Sequence, residues 1–121
     1  MTDTTVTPYP ETPAAVAAAV LDAIERQPNT LSMGEWYHHP QSLALLPSAE
    51  PDCGTTMCVA GWAAHVTGWT LANDHDAAKD GQTQTIEFVA TQALGLDEDT
   101  NGLFWDPAED AIAELREIAG R

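Results

Sequence analysis

Apolar residues follow a helical spacing near the start of the chain. They recur every fourth position from Val16 to Ile24, on one face of a helix. Ahead of them, Thr12-Pro13 is a typical helix start, with a capping hydroxyl and a proline in the first turn. The residue before Pro28 avoids helical angles. The pattern therefore predicts a first helix between Thr12 and Pro28.

Two more helices are predicted in the second half of the chain. Apolar positions from Ile86 to Ala93 share one helical face, and Gly95 follows as a terminator. Asp106-Pro107 resembles the start at Thr12-Pro13. The helix that it begins directs apolar residues to one side: Ala111, Ile112, Leu115 and Ala119.

The middle of the chain predicts two shorter helices. One runs from Thr55 or Thr56 to about Val66, with Gly68 as the residue after its end. The other covers Leu31 to His39, because Ser32 and Glu35 have the spacing of a capping box.

Two short β-like runs, residues 69–71 and 83–86, are separated by a polar loop and predict a small hairpin. Residues 1–11 are polar and rich in Thr and Pro, which predicts a flexible tail.

We therefore expect a single mainly α-helical domain over residues 12–121. It would be a bundle of four to five helices with at most a small β-hairpin near residues 69–86.

The charge balance is strongly one-sided. The chain has nineteen acidic residues and only four basic ones, which gives a net charge of −15. This charge disfavours direct binding to nucleic acid or to an anionic membrane. No apolar run has the length of a membrane span, and the N-terminus lacks the features of a signal peptide. We expect a cytoplasmic protein.

Both cysteines lie in one short segment, residues 53–58, and suggest a zinc site. Cys53 and Cys58 have four residues between them, a spacing that zinc ligands use. His65 is on the Cys58 face of the predicted helix, and His39 lies upstream. The alternatives are buried free thiols, a disulfide, or a thiolate–imidazole pair for nucleophilic catalysis. No third orienting group or oxyanion hole completes such a pair.

The last predicted helix carries a stripe of carboxylates: Asp106, Asp110, Glu114 and Glu117. Their spacing places them opposite the apolar face. The stripe is either a solvated surface or a docking site for a basic partner. A third interpretation is that the acidic helices mimic the charge of a nucleic acid.

Trp62 is predicted to be the central core residue, because it shares an apolar stripe with Val59 and Val66. Gly61 and Gly68 lie on either side of it. They would let another part of the chain approach closely.

These residues resemble a group of small, functionally uncharacterised proteins of bacteria and actinobacteriophages. The group shares a motif, Cys-Gly-Thr-x-x-Cys-x-Ala-Gly-Trp-Ala, which here covers residues 53–63. A weaker pair of motifs matches residues 94–96 and 103–104. The resemblance implies no particular reaction.

These observations favour a small acidic interaction protein that binds a host or phage protein over an enzyme; if it is phage-encoded, it acts in the host cytoplasm. The alternative is a zinc-binding domain or metalloenzyme centred on Cys53, Cys58 and His65. We expect no cofactor, with zinc as the alternative. The sequence leaves the partner and the oligomeric state open.

Overall fold

A computed structural model of the chain describes residues 9–47, 49–51, 54–97 and 101–121. Its helices and strands follow one another as α1 (Pro13–Arg26), α2 (Val59–Val66), β1 (Thr70–Leu71), β2 (Asp76–Lys79), β3 (Gln82–Thr85), α3 (Ile86–Ala93) and α4 (Ala108–Ala119). Short 3₁₀ helices cover Pro28–Thr30 and Asn101–Trp105.

The prediction of a mainly α-helical bundle is wrong, because the helices pack with a three-stranded antiparallel sheet in a small mixed α/β domain. β2 is the central strand and pairs with both β1 and β3. The predicted hairpin joined residues 69–71 to residues 83–86 directly and treated β2 as loop. Asp80 and Gly81 both have positive φ, 52° and 82°, and connect β2 to β3 in a two-residue turn. An Asp-Gly pair favours this turn, whose twist matches that of the flanking strands.

Helix α2 is the centre of the core. Its first seven residues, Val59 to His65, are all buried, as expected for a helix enclosed on every side. Helix α1 packs against α2 and α4, and α3 also packs against α2. Gly68 follows the end of α2 with φ 93°, which confirms its predicted place after the helix.

The predicted helix over residues 31–39 is absent from the structure, which describes this whole segment as extended backbone and turns. Met57 donates its backbone N–H to Thr30, at 2.8 Å, and accepts one from Ser32, at 3.0 Å. His38 and Thr56 exchange two further backbone hydrogen bonds of 2.8 and 3.0 Å. The segment therefore satisfies its backbone groups against residues 56 and 57, which helix formation would prevent.

The prediction that Thr12 caps α1 is confirmed, and α3 has a cap of the same kind, Thr85, that was not predicted. The hydroxyl of Thr12 accepts from Ala15 N–H, and that of Thr85 accepts from Phe88 N–H, each at 3.1 Å. The prediction that Asp106 caps α4 is wrong, because Pro107 is the N-cap residue and supplies no side-chain bond. Proline at this position sets the backbone angle without a capping oxygen.

The predicted tail, residues 1–11, lies outside the described residues except for its last three. Of these, Tyr9 packs against Gly68 and its ring faces the Lys79 ammonium at 5.7 Å. None of the helices in the described ranges combines the length and the apolar character needed to cross a bilayer.

Candidate functional site

Three aromatic rings form a cluster on one side of the molecule, which we call the Trp105 cluster: Trp36, Phe104 and Trp105. The Trp36 ring meets Trp105 edge-on at 5.6 Å and 89°, and Phe104 at 6.0 Å and 77°. Phe104 is buried, Trp36 is half-buried, and 60% of Trp105 is exposed. Edge-to-face contacts are favourable, so Trp36 holds the exposed Trp105 ring in a defined orientation.

The rest of the fold fixes this cluster from two directions. The backbone carbonyl of Glu35 accepts a hydrogen bond from Cys58 N–H, at 2.8 Å. This bond attaches residues 31–39, which we call the Trp36 loop, to the start of α2. The carboxylate of Glu35 accepts one from the Thr56 hydroxyl, at 2.6 Å. On the other side, Phe104 and Trp105 belong to the 3₁₀ helix that leads into α4.

A cavity of about 170 Å³ opens between these elements. Its walls include the three rings, with Glu35 and Cys58 among the other lining residues. The cavity is therefore large enough to admit the end of one side chain. A carboxylate beside aromatic walls suits a positively charged group.

Cys58 contributes a neutral group to this cavity. Burial raises the pKa of its thiol above the ordinary value of 9.0, although backbone N–H groups of Gly61 and Ala60 oppose the shift. The thiol is therefore protonated at neutral pH. Because the thiolate is the nucleophilic form, the structure does not favour the catalytic interpretation of Cys58.

The predicted zinc ligands lie in separate surroundings where the structure describes them. Cys53 lies outside the described residues. His39 is buried and its Nδ1 accepts a hydrogen bond from Gln41 N–H, at 3.0 Å. No group of three metal-ligating side chains occurs within the described ranges. A zinc site that includes Cys53 stays a prediction.

His65 lies on α2 beside the core and not at the Trp105 cluster. Its ring meets Trp62 edge-on at 5.5 Å, and Nδ1 is buried with no hydrogen-bond partner. Burial lowers its pKa below the ordinary 6.5, although the charge of Glu50 and a hydrogen bond to the Ala49 backbone raise it in part. His65 is therefore a neutral core residue at pH 7.

The acidic stripe leads away from the Trp105 cluster along α4. Asp110, Glu114 and Glu117 are exposed, whereas Asp106 precedes the helix and is half-buried. Arg121, just beyond the helix, pairs with Asp22 of α1 at 3.1 Å. Arg121 therefore neutralises a carboxylate of α1 and none of the stripe, so the stripe stays strongly negative.

A second cavity, of about 400 Å³, lies between α1 and α3. Trp69 and Phe88 contribute aromatic surface to it, and Tyr9 and Lys79 form part of its wall. The Lys79 ammonium donates to the Thr67 carbonyl at 3.1 Å and also faces the Tyr9 ring. The chain itself thus engages the basic group of this cavity.

No protein-family model matches the chain, and no curated protein or solved structure shows significant similarity to it. Glu35 was missed as a site residue because the sequence places it in a predicted helix. Its spacing from Ser32 is that of a helical capping box, whereas the residue lies in extended backbone and turns.

Proposed function

We propose that this protein is a non-enzymatic interaction protein that binds a basic protein partner through the Trp105 cluster and the acidic stripe of α4. The observation that supports this most strongly is the exposure of Trp105. A large aromatic ring at 60% exposure, held by Trp36, is typical of an interface anchor. The adjoining carboxylates would attract a basic surface and speed its association.

The test is capture of partners from a lysate of the source organism or its host, followed by identification and titration of the captured protein. We expect a basic protein to bind the wild type and to be lost with Trp105→Ala. Phe88→Ala is the matched control, since Phe88 is another aromatic residue, 49% exposed, on α3. The control should bind like the wild type.

A second variant tests the stripe. Reversal of Asp110, Glu114 and Glu117 to Lys should weaken binding and reduce its dependence on salt. Full binding by both this variant and Trp105→Ala would contradict the proposal. The nucleic-acid mimic makes a different prediction: displacement of DNA from a DNA-binding enzyme that depends on the stripe and not on Trp105.

A further inference from the structure

We propose that the cavity at the Trp105 cluster receives a single arginine side chain of the partner, with its guanidinium packed against the indole surface that lines the cavity and paired with the carboxylate of Glu35. This inference rests on the proposed function and specifies the chemistry that the partner must present. The ligand group is a guanidinium at the end of a flexible peptide side chain.

The aromatic walls favour a cation. The π face of an indole carries negative charge density, and a cation within about 6 Å of the ring centroid is attracted to it. Trp36 and Trp105 are perpendicular, at 89°, and both line the cavity. A planar guanidinium can stack on one ring while its edge stays free for hydrogen bonds.

Glu35 provides the counter-charge. Its backbone is fixed by Cys58 N–H and one carboxylate oxygen by the Thr56 hydroxyl, so the group is oriented before a ligand arrives. A carboxylate offers about four lone-pair sites, and one bond to a hydroxyl leaves most of them for a guanidinium. Such charge-assisted bonds are among the strongest polar contacts in proteins.

The chain's own lysine and arginine side chains, all of them among the described residues, lie elsewhere. Its four basic residues are Arg26, Lys79, Arg116 and Arg121, and none of them lines this cavity. Lys79 lies at the second cavity and Arg121 pairs with Asp22. With a net charge of −15, the molecule as a whole also attracts cations.

The test uses capped arginine, N-acetyl-arginine-N-methylamide, titrated into the full chain while the indole N–H signals of its four tryptophans are followed by NMR. We expect saturable shifts at Trp36 and Trp105, and not at Trp62 or Trp69. Capped citrulline is the matched probe, because it has nearly the same shape without the charge. It should cause no saturable shift, and capped lysine should bind more weakly than arginine.

Glu35→Gln keeps an oxygen that can accept from Thr56 but removes the charge. We expect it to weaken arginine binding by about tenfold, the loss typical of one charge-assisted hydrogen bond. Trp105→Ala should abolish binding, and Phe88→Ala should leave it unchanged. A dispersed NMR spectrum verifies that each variant is folded.

Equal shifts with citrulline, or wild-type affinity in Glu35→Gln, would overturn the inference. Its failure is distinct from that of the proposed function. Partner capture that requires Trp105, with no arginine binding, would refute the guanidinium site and leave the interaction protein intact. Arginine binding without any captured partner would refute the proposed function alone.

Discussion

At the scale of single residues, Trp62 anchors the core. It is 2% exposed, and its indole N–H donates to the Thr30 hydroxyl at 3.1 Å, so its burial leaves the polar end satisfied. The structure thus confirms that Trp62 is a core residue. Its ring lies on α2, the helix against which both α1 and α3 pack.

We expect Trp62→Ala to lower the free energy of unfolding by about 3–5 kcal/mol, as large aromatic truncations in cores do. Urea denaturation followed by circular dichroism measures this. Trp105→Ala should lower it by only about 1 kcal/mol, because that ring is mostly exposed. If Trp62→Ala unfolds at the wild-type urea concentration but loses a binding partner, Trp62 is a recognition residue and the core assignment is wrong.

His65 should make stability depend on pH. Its pKa is lowered in the folded state, so the unfolded chain binds more protons between that lowered pKa and about 6.5. Stability is therefore complete above about pH 6.5 and falls as the pH drops through this window. We expect His65→Gln to lose less stability than the wild type between pH 7.5 and 5.5. An NMR titration that places the His65 pKa at or above 6.5 would contradict this.

At the scale of elements, the start of α2 and the loop before it form one unit. Gly61 lies where α2 crosses the Trp36 loop, and a Cβ there would overlap the Trp36 carbonyl oxygen and lie 2.7 Å from Met57 Cβ. The contact with a backbone oxygen leaves little room to adjust. Glycine is thus required for close approach, which explains part of the Ala-Gly-Trp motif.

Gly61→Ala should therefore destabilise the protein by about 1–3 kcal/mol, the range of overpacking substitutions. Alanine is the better helix former by about 1 kcal/mol, so the steric clash costs more than the net loss of stability that is measured. Gly34→Ala is the matched control, since a Cβ there meets nothing within 4 Å. Thermal or urea unfolding of the pair checks this, and a more stable Gly61→Ala would refute the close approach.

At the scale of the whole molecule, the net charge of −15 opposes compaction. Raising NaCl from 0.01 to 1 M shortens the screening length from about 30 Å to about 3 Å. We expect the melting temperature to rise by several degrees over this range. Reversal of Asp110, Glu114 and Glu117 to Lys changes the net charge by six units, to −9. The melting temperature of this variant should therefore rise less with NaCl. A melting temperature that falls with salt would contradict this.

The sequence by itself determined the elements whose stability is local. Helices α1, α3 and α4 follow from apolar residues at helical spacing and from terminators such as Pro28 and Gly95. Trp62 was identified as a core residue for the same reason, since its neighbours on the helix face are apolar. These features depend on residues within one or two helical turns, so one stretch of sequence contains all the information they need.

Only the tertiary structure decided the sheet and the segment before α2. β2, Asp-Ala-Ala-Lys, has low strand propensity and forms because β1 and β3 flank it. Residues 31–38 contain a helical capping pattern, yet pairing with residues 56–58 prevails, because those distant residues offer partners for backbone groups.

The Trp105 cluster likewise depends on distant parts of the chain, since Trp36 and Trp105 are 69 residues apart in sequence. The packing of α1 against α2 and α4 holds together the elements that carry them. No local spacing records that contact, and only the packed fold places both rings beside Glu35.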